Sequence, residues 1–268
     1  MSYKEVLDEK KIAISISESE HMQALGLSEA HLVEAMCELA RHMLALGATL
    51  IYGGDLRARG FTRLLYELAS RYRKDSTDKK NRASIINYLP WPSISSFSQE
   101  QLEDLKRELA GTAEICLLDI NGELSQSPFT ADDRSNAHLH WAKSLTQMRV
   151  RTTAESTARI ALGGKTKNFM GDMPGIAEEI MTSLTTQRPV YLLGGFGGCT
   201  REILDAMGIP NNQVASIPTW NGASAFSAFS VESLNNGLST EENLALATTP
   251  YIDQAVILVI RGLLNIKS

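Results

Sequence analysis

The chain has 268 residues, is 43% hydrophobic and 21% charged, and carries a net charge of −5. That composition fits one large α/β domain and offers no global basic field for nucleic acid. Three widely spaced cysteines without Cys-x-x-Cys argue against a disulfide framework and for a reducing, cytoplasmic setting. The charged start has no apolar core, so no signal peptide is expected. No apolar run approaches the roughly 20 residues that span a bilayer.

Lys11-Ile-Ala-Ile-Ser-Ile-Ser17 alternates and predicts a first strand. Ser28 starts a stretch with apolar residues at helical spacing, closed by Gly47. Thr49 to Tyr52 is a second strand, and a helix follows from about Thr62 to Arg73. The basic cluster between Arg71 and Arg82 reads as a solvated helix end. Ser84 begins a third strand, stopped by Pro90 and Pro92, and Gln99 to Ala110 is helical. Ala113 to Asp119 is a fourth strand, a Gly/Ser/Pro-bearing loop follows, and Ala131 to Gln147 is mostly helical. The last strands are Arg159–Leu162 and Pro189–Leu193, separated by a helix that Pro174 initiates over Gly175 to Leu184. Arg201 to Met207 is another helix. Residues 208–240 are rich in Asn, Ser, Gly and Pro and read as an irregular segment or lid. Ser239 opens a capping box, and Tyr251 to Leu264 predicts a C-terminal helix. Strands alternating with helices specify a Rossmann-like α/β fold, a mostly parallel sheet with helices on both faces, in one domain over 1–268. Its core is expected at about 10–205.

Three of these strands end in a diglycine: Gly53-Gly54, Gly163-Gly164 and Gly194-Gly195. Parallel strands carry their ligands at the carboxyl ends, where missing side chains let backbone approach a ligand and the next helix offers N–H groups to an anion. Around the first pair stand Asp55 and Arg57, in a turn suited to a phosphate. Gly163-Gly164 is followed by Lys165 and preceded by Arg149 and Arg151, which suit planar recognition of phosphate or carboxylate. Gly175 opens the helix that carries Glu178 and Glu179, where a carboxylate beside a ribose can hold hydroxyls or assist N-glycosidic cleavage. Gly194-Gly195-Phe196-Gly197 is a glycine-dense loop, with Phe196 as a lid or base-stacking ring. Ser15 and Ser17, late in the first strand, face the same edge. His138 and His140 lack further ligands at metal spacing, so no metal and no cofactor is expected.

Taken in order, these loops resemble the SLOG superfamily of Rossmann-like domains, which includes the Lonely Guy phosphoribohydrolases, DprA, and ligand-sensing domains of bacterial defence and TRPM channels. The likeness covers roughly residues 10–205. Met148-Arg149-Val-Arg151 is similar to the Lonely Guy Met-x-x-Arg-Lys segment. Gly163-Gly164 with Gly175-Ile-Ala-Glu178-Glu179 resembles the Pro-Gly-Gly-x-Gly-Thr-x-Glu-Glu signature, although Leu162 stands for the proline and Ile176 for the threonine. The length of the chain looks more like the defence-associated sensor branch. The resemblance implies a pocket for an ADP-ribose-like, NAD-derived or cyclic nucleotide signal, working as a homo-oligomer and beside a TIR-type or other effector partner. Its alternative is a nucleotide N-ribohydrolase in which Arg149 positions the 5′-phosphate and Glu178 or Glu179 assists cleavage.

Overall fold

The computed structural model describes residues 5–54, 61–75, 84–94, 97–125, 137–209 and 220–266. Among the described residues six strands form one sheet: β1 Lys11–Ser17, β2 Thr49–Gly53, β3 Ile85–Leu89, β4 Ala113–Leu117, β5 Ala158–Gly163 and β6 Val190–Leu193. Their spatial order is β4-β3-β2-β1-β5-β6, and every pairing is parallel. The Rossmann-like reading of the alternation is therefore correct. Register is set so that Ser17 lies beside Gly163, Ser15 beside Ala161 and Ile51 beside Ala13. All six carboxyl ends finish nearly level.

The alternation of β1 decides which face is which. Ile12, Ile14 and Ile16 point into the larger core, where α1 (Glu29–Ala45) and α2 (Phe61–Asp75) cover the sheet. The same core takes in α8 (Thr240–Thr248) through Leu246 and α9 (Ile252–Asn265) through Ala255, Val256, Val259 and Leu263. α1 starts at a capping box in which the Ser28 N–H donates to His31 Nδ1 at 3.0 Å. It buries Leu32, Met36, Leu39 and Met43 at the spacing the sequence showed. Ser98 and Ser239 cap α4 (Gln99–Glu108) and α8 in the same way.

The opposite face carries α5 (Trp141–Glu155), α6 (Gly175–Thr185) and α7 (Gly198–Ala206). Its apolar contacts fall into two separate clusters. Met148 of α5 packs with Ala13, Ile51, Ile86 and Tyr88, whereas Ile176, Ile180, Ile203 and Phe226 pack over β6. Ser15 and Arg159 of the central strands lie between them, so this face has a polar seam where its two halves meet.

Two expectations need correction. The helix expected over 131–147 runs instead from Trp141 to Glu155, after a 3-10 turn at Ala137–His140, and residues 131–136 lie outside the described residues. Its buried side includes Ser144, Arg149, Thr152 and Thr153, so apolar periodicity gave no sign of its second half. Of the two readings of 208–240, the lid gives way to the irregular segment in the described part from Trp220 onward, where two 3-10 turns, Ala223–Ala228 and Val231–Leu234, are packed on the body of the fold. Trp220, Ala223, Phe226 and Leu234 are buried against α7 and β6, with Trp220 and Phe226 edge to face at 6.1 Å. A short α3 (Trp91–Ile94) follows β3. Among the described residues no helix is long and apolar enough to cross a membrane.

Candidate functional site

The strand order reverses between β1 and β5: β2 to β4 extend to one side of β1, and β5 and β6 to the other. The connections leaving the sheet diverge there, which opens the crevice that parallel α/β sheets use for ligands. Gly163 closes β5 at this point with φ +67°, and a Cβ on it would overlap the Ser17 carbonyl. Gly164 follows at φ +102°, its N–H donating to Ser17 O at 2.9 Å. Only glycine combines that left-handed backbone with so close a neighbour. The Gly164 carbonyl in turn accepts the Cys199 N–H at 2.9 Å, tying the corner to α7.

Above the reversal, α5 and α6 bring opposite charges together. Arg149 of α5 is paired with Glu178 in the first turn of α6, and the Thr146 hydroxyl donates to the same carboxylate. Both charged groups are largely buried, 10% and 14% exposed at the side chain. Gly175 lies under the guanidinium, where a Cβ would come within 2.7 Å of Arg149 Nη2, and a Cβ on Gly171 would stand 3.4 Å from Arg149 Nη1. The result is a guanidinium beside a helix N-terminus, two donors of the kind that receive an anion.

Arg159, buried on β5, organises the seam below. Its guanidinium donates to Ser15 Oγ at 2.7 Å, Ser183 Oγ at 3.0 Å and Thr153 Oγ1 at 2.9 Å, and lies 3.3 Å from Glu179. Burial pulls its pKa below the usual arginine value, Glu179 opposes that shift, and nearby Arg149 adds to it. One side chain thus joins β1, β5, α5 and α6. Ser15 and Glu179, expected at the ligand, are engaged by Arg159. Glu178, one position away, faces Arg149, as the divergence of adjacent helix positions requires.

The remaining expected residues are dispersed. Arg151 meets Glu123 at 3.5 Å and Glu155 at 3.4 Å. Glu155 holds Lys11, the first residue of β1, so Arg151 lies toward the amino edge and away from the reversal. Lys165 is exposed on the loop after β5. The next residue, Thr166, donates its N–H and hydroxyl to Glu20 at 3.2 and 3.1 Å. Burial raises the Glu20 pKa, but these donations and others from backbone outweigh it and hold the carboxyl below its usual value. Gly53 lies 2.9 Å from Met148 Cε, measured from an ideal Cβ, and Gly54 is crowded by the Tyr52 ring and Thr62. Asp55 and Arg57 lie outside the described residues.

The third diglycine has a different surrounding. Gly194 and Gly195 are covered by the backbone of Ala247 and Thr249, and Gly197 by the Cβ of His21. Phe196 is only 2% exposed and belongs to the main core, so it is neither a lid nor an exposed stacking ring. Its glycine neighbours let the chain pass close to its own C-terminal segment. The Gly198 N–H donates to His21 Nδ1 at 3.0 Å, so that nitrogen is unprotonated and the other faces Glu202 at 3.8 Å. Cys199 is fully buried, and burial pushes its thiol up, away from nucleophilic use. Among the described residues no cluster of His, Cys, Asp and Glu could hold a metal.

Arg159 was the residue that sequence reasoning passed over. One signal stood in plain view: an arginine inside an apolar strand, opposite a β1 face that after Lys11 consists of Ala13, Ser15 and Ser17. A cation there must be answered by hydroxyls or a carboxylate from the covering helices. Thr152, Thr153, Glu179 and Ser183 supply them.

A family model described as SLOG cluster2 matches residues 6–246. The chain belongs to the SLOG superfamily, and a nucleotide-related ligand or an N-glycosidase-like role follows from that membership at the level of class. No curated protein matches the chain.

Proposed function

We propose that this SLOG chain is a single sensor domain for a nucleotide-derived signal of the ADP-ribose, NAD-derived or cyclic type. The ligand occupies the crevice where β1 and β5 diverge beneath α5 and α6. The observation that carries this reading is the Arg149–Glu178 pair, drawn from two helices to the N-terminus of α6 with Gly171 and Gly175 against the guanidinium. A phosphate entering there replaces one carboxylate on Arg149 by a bidentate anion and adds the N–H groups of the first turn of α6. Glu178, released from the pair, accepts ribose hydroxyls. Gly163 and Gly164 form the floor, and Lys165 contributes an exposed charge at the rim. Coupling to a homo-oligomer and to a TIR-type effector in antiphage defence is the setting this reading assigns to the chain.

A second reading has its own support. The Glu178 carboxylate is held by both Thr146 and Arg149, an orientation suited to assisting cleavage of a base–ribose bond in a nucleotide N-ribohydrolase. Incubation with AMP, NAD and ADP-ribose distinguishes the two by whether free base is released. Thermal stabilisation by an intact ligand without turnover supports the sensor, and at about 100 times Kd it amounts to roughly 2.7 kcal/mol. Turnover that disappears in Glu178→Gln replaces the sensor with the hydrolase. No stabilisation and no turnover with any of these nucleotides removes both.

A further inference from the structure

The inner side of α5, continued back to its cap residue His140, carries a stripe spaced four residues apart: His140, Ser144, Met148 and Thr152. Both ends are placed by contacts. The His140 ring meets Trp91, just beyond β3, edge to face at 5.5 Å. Met148 and Thr152 both reach Gly53, the last residue of β2. Ser144 therefore sits between the Trp91 ring and the end of β2, over the carboxyl edge of the sheet. It is 2% exposed, and among the described residues its hydroxyl has no hydrogen-bond partner. A helical serine can satisfy itself on the preceding turn, and this one does not.

We propose that the Ser144 hydroxyl is a specificity-determining contact for the nucleobase of the ligand, which rests on the nucleotide reading above. Phosphate and ribose stand at Arg149 and Glu178 on the side of α5 that faces α6. Ser144 is five residues nearer the helix N-terminus, about 7.5 Å along the axis, on the side facing the sheet. A flat heteroaromatic ring continuing from the ribose passes over the ends of β1 and β2 and reaches it. The hydroxyl serves as donor or acceptor to the base edge, and Trp91 bounds the space beyond. Polar groups left unpaired inside a protein reject an occupant that cannot pair them, so such a hydroxyl discriminates between ligands with and without a base.

The test compares Ser144→Ala with the unaltered chain by calorimetric binding of ADP-ribose and of ribose 5-phosphate, and by Tm without ligand. The expected result is about tenfold weaker ADP-ribose binding, unchanged ribose 5-phosphate binding, and an unchanged or raised Tm, because an unpaired buried hydroxyl has been removed. A lowered Tm would show that the hydroxyl already has a protein partner and overturns the proposal. So does equal weakening of both ligands, or no change in either. If the unaltered chain binds neither probe, this inference falls, and the nucleotide reading falls with it when AMP and NAD also fail to bind; binding that ignores Ser144 removes the inference alone.

Discussion

Two corners of the sheet share a sequence and differ in what encloses them. At the end of β5, Gly163-Gly164 passes between the Ser17 carbonyl and α7, with Ile176 of α6 against Gly164. At the end of β6, Gly194-Gly195 passes beneath the backbone of Ala247 and Thr249, and the residue that follows is a core phenylalanine. A diglycine after a strand records that something comes close, not what comes close. What the nearby cations are bound to separates the cases: beside Gly194 the Arg201 guanidinium is committed to the Ala247 and Ile209 carbonyls and to Asp205, while Gly164 packs on Ile176, next to the Gly175 that lies under Arg149.

The sharpest way to break that comparison is to add a methyl group at each corner. Gly163→Ala meets both a left-handed backbone and the Ser17 carbonyl, and we expect a loss of more than about 3 kcal/mol, visible as a collapse in Tm. Gly195→Ala overlaps the Thr249 carbonyl at ordinary φ and should cost about 1–3 kcal/mol. Its folded fraction should still bind ADP-ribose as the unaltered chain does. If Gly195→Ala abolished binding while leaving Tm intact, the β6 corner would have to be returned to the site.

Arg159→Met comes next. It leaves Glu179 beside the seam without its cation and should cost about 3–5 kcal/mol in urea denaturation. Adding Glu179→Gln should restore part of that loss, because the stranded charge is then gone. Glu178→Gln is milder, about 1–3 kcal/mol, since the amide oxygen still accepts from Arg149 and its NH2 can donate to the Thr146 hydroxyl oxygen. Its effect on ADP-ribose affinity should exceed that of Glu179→Gln; the reverse order would exchange the roles assigned to the two carboxylates.

Smaller effects lie at the rim. Lys165→Ala should leave stability within about 0.5 kcal/mol and weaken ADP-ribose only at low ionic strength, as an exposed charge does. Glu20 gives the pH signature. Its folded pKa lies below the unfolded value, so its contribution is complete above that unfolded value and is lost as pH falls through the folded one. Glu20→Gln should therefore lower Tm slightly at neutral pH, leave it unchanged at pH values below the folded pKa, and so flatten the acid limb between them.

What the sequence disclosed follows from how much of each element was written in apolar spacing. The strands and α1 announced themselves through Ile12, Ile14 and Ile16 and through Leu32, Met36, Leu39 and Met43. α5 did not, because the side it buries is polar. Arg149, Glu178 and Gly175 were legible as candidates from residue type and order alone. That Glu179 answers Arg159, and that Arg151 turns to Glu123 and Glu155, depends on helix rotation, which charge patterning along one dimension does not encode. Phe196 misled for a related reason: an aromatic among glycines has the same spelling whether it stacks on a ligand or fills the interior.

The Arg159 guanidinium has a kinetic consequence. Its partners come from three elements besides its own strand, so none of the four can detach without breaking bonds to the others. Amide protons of Thr152, Thr153 and Ser183 should be among the last to exchange with deuterated solvent. Those of Trp141 to Leu145 and Gly171 to Gly175, beyond the reach of that clamp, should exchange early. Anything that visits the crevice therefore passes over the top, between the ends of the two helices, while their lower turns stay shut.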